Sequence, residues 1–291
     1  MERPRTFLWV TAAVSVYLTV AMSHASHAQN ALPAVTDQIV DINGIRLHYR
    51  IVGTGPALLL IHGFTWTGEW WDPLLPALAR DYRVIVIDLP GHGRSTSHPG
   101  PWSYRQVASD MYALLDRLGV QRVRAIGHSA GGNTLVHMAT QQPARMEAMV
   151  LIAGGHRLVN SARKYVRETG VYEALSDSSR AAHLRVQPGG EAQVRSLLNT
   201  MRGVADDYED MSFTSERLSQ IRARTLLVWG DRDPYYPLEV AIELYQAIPN
   251  AALWVVPVQE HFPLWPEWGG SAEAAREFPV LVTRFLNDSS K

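Results

Sequence analysis

The chain has 291 residues, 46% of them hydrophobic and 19% charged, which supports a sizeable core and excludes global disorder. Its 27 basic and 28 acidic residues give a formal net charge of −1 without a basic run, against nucleic-acid binding as the main function. There is no cysteine, so disulfides, thiolate catalysis and Cys-ligated metal sites are excluded together.

The first thirty residues read as a targeting segment. Arg3 and Arg5 precede an apolar run from Phe7 to Met22, and small residues close the segment at Ser26-His27-Ala28. That layout describes a secretory signal peptide, residues 1–28, cleaved after Ala28. An uncleaved membrane anchor is the alternative, but Thr11, Ser15 and Thr19 interrupt the run, and a spanning helix needs about 18 or more mainly apolar residues. Cleavage removes Glu2, Arg3 and Arg5 and leaves 25 basic and 27 acidic residues. The mature protein is therefore expected in the periplasm or outside the cell, with no electrostatic reason to stay on a membrane.

Strand signals begin at Ile39. Ile39–Ile42 and Ile45–Tyr49 flank Asn43-Gly44, a strong hairpin turn signal. Apolar runs follow at Ala57–Ile61, Val84–Ile87, Val123–Ile126, Ala148–Ile152, Thr225–Trp229 and Leu253–Val256. Several are continuous rather than alternating, as expected for strands covered on both faces. Between them, Val107, Met111, Leu114, Leu115 and Leu118 recur at helical spacing, and another helix starts near Ser129. This alternation predicts an α/β fold with a mostly parallel eight-stranded sheet and helices on both faces. The pattern stops between His156 and Arg224, so residues 156–221 are expected to be an inserted helical lid on a core of 37–155 and 222–288. Basic residues concentrate in the first half of that insertion and acidic residues in the second, so the halves could pair, or simply present two solvated faces.

The sharpest local signal is Gly127-His128-Ser129-Ala130-Gly131, directly after one apolar strand and directly before a helix. Such a turn exposes the serine hydroxyl and aims a helix N-terminus at a developing oxyanion. A serine hydroxyl also needs a base held by a third group. Trp229-Gly230-Asp231-Arg232-Asp233-Pro234 ends one strand, and His261 follows another by a short loop. Serine, acid and histidine thus each sit just past a strand's C-terminal end, where open α/β sheets build their sites.

With these residues in place the chain resembles the α/β-hydrolase superfamily, in its serine-esterase branch. Further motifs carry the likeness. His62-Gly63-Phe64 resembles the oxyanion loop, Asp88-Leu89-Pro90-Gly91-His92-Gly93-Arg94-Ser95 the D-x-x-G-x-G-x-S turn, and Trp229 to Pro234 the acid loop. The resemblance implies Ser129 as nucleophile, His261 as general base and Asp233 as the group that orients the imidazole. It implies an oxyanion hole made by the backbone N–H groups of Phe64 and Ala130. Asp231, two residues before Asp233, is the alternative acid but is expected to shape its turn instead; Glu260 is expected to be solvated, His62 to strut the oxyanion loop, His128 to be a satisfied elbow residue, and His92 and His137 to be structural. Phe64, Trp66, Phe262 and Trp265 are expected to line an apolar substrate pocket, with Trp70, Trp71 and Trp268 as packing anchors. No cofactor and no metal is implied, since no H-E-x-x-H or carboxylate-rich loop occurs.

Relatives that displace halide or open epoxides use an aspartate at the elbow, so Ser129 points instead to an acyl-serine intermediate. Hydrolysis of a small or medium apolar carboxylic ester is the leading expectation. Carbon–carbon hydrolases of ring-fission diketones and perhydrolases share the triad and stay open. Export argues against the former, whose substrates arise inside cells. A non-hydrolytic binding protein on the same fold is disfavoured by the intact motif set.

Overall fold

The computed structural model describes residues 35–288, and the expected signal peptide lies outside them. Eight strands form one sheet: β1 (Thr36–Ile42), β2 (Ile45–Val52), β3 (Ala57–Ile61), β4 (Arg83–Ile87), β5 (Val123–His128), β6 (Met146–Ile152), β7 (Arg224–Gly230) and β8 (Ala251–Val256). Their spatial order is β1-β2-β4-β3-β5-β6-β7-β8. β1 and β2 form the hairpin turned at Asn43-Gly44, β2 also pairs antiparallel with β4, and the remaining pairings are parallel.

The helices are α1 (Leu75–Leu78), α2 (Tyr104–Arg117), α3 (Ala130–Gln141), α4 (Asn160–Thr169), α5 (Asp177–Val186), α6 (Gly190–Asp206), α7 (Ser215–Leu218), α8 (Leu238–Ala247) and α9 (Ala272–Asn287). The continuous apolar strands explain how they are layered. Successive strand side chains point to opposite faces, so Leu59, Ile61, Ala125, Leu151 and Leu227 meet α2, α3 and α8. Their neighbours Leu58, Leu60, Ile126, Val150 and Val228 meet α1 and α9. Ser103 starts α2 by accepting the Gln106 N–H, and Ser271 starts α9 by accepting the Ala274 N–H.

Helices α4 to α7 fill the insertion between β6 and β7. Its charge segregation is used at one place, where Arg167 of α4 meets Asp206 of α6 at 2.6 Å. Most other insertion charges pair locally or with the sheet layer: Arg157 reaches Glu243 of α8 at 2.6 Å and Arg185 reaches Glu69 at 3.3 Å. Arg163 is buried and caps chain carbonyls instead, donating to the Ala205 and Asp207 oxygens at 2.6 and 2.7 Å. Among the described residues no helix is long and apolar enough to cross a membrane.

Candidate active site

Strand β5 delivers Ser129 into a backbone conformation (φ 51°, ψ −114°) that non-glycine residues rarely adopt. The surroundings hold it there: its N–H donates to Ile152 O at 2.9 Å, and its carbonyl accepts from Asn133 N at 3.0 Å. The turn is possible because α3 presses on the end of β3. A Cβ at Gly131 would lie 2.0 Å from the Ile61 carbonyl oxygen, so any side chain would push the helix off the sheet. Gly63 serves the other flank, where a Cβ would come within 3.2 Å of the Ser129 Cβ.

Three residues far apart in sequence meet at this turn. His261 Nε2 lies 2.9 Å from Ser129 Oγ, and His261 Nδ1 lies 2.8 Å from Asp233 Oδ2. The other Asp233 oxygen accepts the Tyr235 and Tyr236 N–H groups at 2.8 and 3.0 Å. A carboxylate this buried needs such a complete set of donors. Since only an N–H can face the carboxylate, the neutral ring keeps its proton on Nδ1 and presents the Nε2 lone pair to the serine. Asp231 stays exposed and accepts only the Gln259 N–H, at 3.1 Å, which fits its expected part in the turn. Glu260 is exposed.

The neighbouring histidines are framework. His62 accepts the Leu89 N–H at 2.9 Å through Nε2 and donates from Nδ1 to the Gly63 carbonyl at 2.7 Å. It ties the loop after β3 to the turn after β4, and burial pulls its pKa down to about 4, so it is neutral. His92 donates to the Pro90 carbonyl at 3.0 Å and His137 to the Asp210 carbonyl at 2.7 Å. His128 donates from Nε2 to the backbone oxygen of His261 at 3.0 Å, linking elbow to histidine loop, while its Nδ1 has no partner among the described residues. It was expected to be a satisfied elbow residue and is satisfied on one side only. In the D-x-x-G-x-G-x-S turn, burial alone would raise the pKa of Asp88. Hydrogen bonds from His48 and from the Gly68 and Arg94 backbone, with the nearby His62, hold it instead at about 2.

A cavity of about 180 Å³ opens at Ser129 and His261. Phe64, Trp66 and Phe262 line it. Trp265 does not, which corrects the sequence expectation. It is buried beneath the site, stacked on Trp70 with ring centroids 4.4 Å apart and set edge-on to Trp71 at 5.9 Å. Trp268, three residues on and across a short 3-10 turn, takes the lining place and meets Trp66 at 4.7 Å. Sequence reasoning also missed Tyr104, Tyr235 and Tyr236, and the insertion's side of the cavity, which includes Leu158, Val166, Leu198 and Met201. Only the acid loop carried a usable signal, because Tyr235 and Tyr236 follow the motif directly. Phe64 and Ser129 line the same cavity and Ala130 follows the serine directly; among the described residues no backbone acceptor is bonded to the N–H of Phe64 or of Ala130.

The profile of the α/β hydrolase fold family matches residues 56–183, from the end of the hairpin into α5. The chain has the α/β-hydrolase fold. This hydrolase is 29% identical over 287 residues to a 2-hydroxy-6-oxononadienedioate/2-hydroxy-6-oxononatrienedioate hydrolase of Burkholderia vietnamiensis, covering 89% of the chain and 97% of that protein. It is 28% identical to a second protein of that name from Pseudomonas putida, covering 92% of the chain and 99% of that protein. Among solved structures, a meta-cleavage product hydrolase of Pseudomonas fluorescens superposes with a TM-score of 0.69 at 22% identity, covering 86% and 97% of the two chains.

Proposed function

We propose that this hydrolase works through Ser129 and cleaves the bond between a carbonyl carbon and its neighbour in a small substrate, and that this bond is carbon–carbon. The observation that carries the serine chemistry is the continuous chain Asp233–His261–Ser129, with links of 2.8 and 2.9 Å, opening onto an apolar cavity. The relatives similar over nearly their whole length favour the carbon–carbon bond over the ester expected from the residues alone.

In this reading Ser129 Oγ attacks the carbonyl carbon as its proton passes to His261 Nε2. Asp233 stabilises the imidazolium and keeps its orientation. The carbonyl electron pair moves to oxygen, where the Phe64 and Ala130 N–H groups receive it, a contribution typically of several kcal/mol. Collapse expels the leaving fragment, which takes the proton from His261. For an ester that fragment is an alcohol. For a carbon leaving group it is a carbanion, so a second carbonyl in the substrate must delocalise the charge. Water, activated by His261, then releases the acid from the acyl-serine.

One observation favours the ester as a second reading. No lysine or arginine is among the lining residues, whereas the relatives are named for dioates, which carry two carboxylates. A neutral or singly charged substrate suits the cavity better on electrostatic grounds. The test compares kcat/KM for a ring-fission dienone and its dioate with that for p-nitrophenyl esters of increasing chain length. Faster turnover of the dienone supports carbon–carbon cleavage, and preference for the esters by tenfold or more overturns it in favour of the ester. Export is proposed as well, on the strength of residues 1–28, and because ring-fission substrates arise inside cells it weighs, like the uncharged cavity, on the side of the ester. Mass analysis from an exporting host is expected to find a chain starting at Gln29, and full-length protein in the cytosol would overturn it.

A further inference from the structure

The residue after Phe64 is held in an unusual way. Thr65 has φ 67°, a left-handed conformation that is a genuine outlier for a β-branched side chain. Something must over-determine it, and both of its grips come from the insertion. Thr65 Oγ1 lies 2.8 Å from Nε2 of His183 on α5, and the Thr65 carbonyl accepts from Gln187 Nε2 at 2.8 Å at the end of the same helix. Both side chains are buried, at 6% and 1% exposure, so these bonds are shielded from competing water.

Each grip is itself anchored. His183 Nδ1 is 2.7 Å from the Ser179 carbonyl, which can only accept, so that nitrogen carries the proton. Burial holds the ring's pKa below its ordinary value, leaving Nε2 as an acceptor for the Thr65 hydroxyl. That hydroxyl also lies 2.6 Å from the Phe64 carbonyl, so its single proton is shared between the loop and the insertion. Gln187 is fixed through Oε1, which accepts the Gly93 N–H at 2.8 Å. His183 further stacks on Trp66 at 4.8 Å.

We propose that His183 and Gln187 are positioning residues: through Thr65 they hold the peptide that carries the Phe64 N–H in place beside Ser129. The inference rests on the serine-hydrolase reading and on Phe64 as an oxyanion donor. It gives the insertion a part in transition-state stabilisation besides walling the cavity. Because the oxyanion exists only during reaction, loosening the clamp lowers kcat and leaves KM nearly unchanged.

The experiment uses Thr65→Val, which is isosteric but lacks the hydroxyl, together with His183→Phe, the double variant, Gln187→Met and the conservative Thr65→Ser. Each is assayed on p-nitrophenyl butyrate and titrated with phenylboronic acid, whose boron accepts Ser129 Oγ to give a tetrahedral adduct, and with butyrate as a ground-state ligand. The expected result for Thr65→Val, His183→Phe and Gln187→Met is a 10- to 100-fold loss of kcat, within the roughly 10²-fold that losing a whole oxyanion donor costs. Boronate affinity falls in parallel while KM and butyrate affinity hold. Thr65→Ser recovers most of the loss, and the double variant is no worse than Thr65→Val, because both changes cut one path. Equal boronate affinity in wild type and variants overturns the inference, as does a rise in KM at constant kcat. A variant that does not fold is set aside for the one acting from the other grip, and Gln187→Met gives the same readout independently of the hydroxyl. Wild-type protein that neither turns over the ester nor binds the boronate overturns the serine-hydrolase reading itself.

Discussion

Replacing Asp233 by asparagine tests the triad at its most constrained atom. In the structure one carboxylate oxygen accepts two backbone N–H groups, from Tyr235 and Tyr236, and the other faces His261 Nδ1 at 2.8 Å. An asparagine has one oxygen and one amide nitrogen. Only the oxygen can face the two backbone donors, so the NH₂ group is forced toward His261. It then donates to Nδ1, and the ring proton moves to Nε2. His261 presents an N–H to Ser129 where the reaction needs a lone pair. The expected loss is on the order of 10⁴ in kcat, or about 5 kcal/mol of barrier. Asp231→Asn, at an exposed carboxylate with a single 3.1 Å acceptor role, is expected to cost far less. The assay is steady-state turnover of p-nitrophenyl butyrate at pH 7.5, with thermal melts confirming that both variants fold. Retention of more than about a tenth of wild-type kcat in Asp233→Asn, or a larger loss in Asp231→Asn, would refute the reasoning.

An organophosphonate ester is expected to label Ser129 alone, and Ser129→Ala to abolish labelling while leaving the melting temperature nearly unchanged. Peptide mapping that finds the label elsewhere would reject Ser129 as the nucleophile. Gly131→Ala is expected to lose the fold or several kcal/mol of stability, because its Cβ falls 2.0 Å from the Ile61 oxygen. Gly203→Ala, in the exposed interior of α6 with nothing within 4 Å, is expected to gain about 0.5–1 kcal/mol by urea denaturation. Stability is expected to fall as pH drops from about 6.5 toward 4. Burial pulls His62 to about 4, His92 to about 3 and His156 to about 4, so the unfolded chain binds more protons across that window. His62 alone contributes roughly 3 kcal/mol to this dependence. Denaturant midpoints should show the slope, and His92→Phe should flatten it. A pH-independent wild type would contradict the buried neutral histidines.

The sheet, its helices on both faces and the positions of Ser129, Asp233 and His261 were legible in the amino-acid sequence for one reason. Each is carried by a local pattern: continuous apolar runs bounded by turn residues, and motifs placed where a strand ends. The elbow needs glycine where backbone meets backbone, and the acid loop needs its aspartate at one spacing from Gly230. The surroundings of the triad were not legible, because they depend on contacts between segments remote in the chain. Trp265 and Trp268 are alike in composition and three residues apart, yet a 3-10 turn sends one under the site and the other to the cavity. The grip of His183 and Gln187 on Thr65 spans more than a hundred residues, and no periodicity marks it. Local chemistry and hydrophobic period determined the framework and the turn that carries Ser129. The shape and charge of the cavity were decided only when the helical insertion packed across the strand ends, because its lining comes from segments remote in the chain.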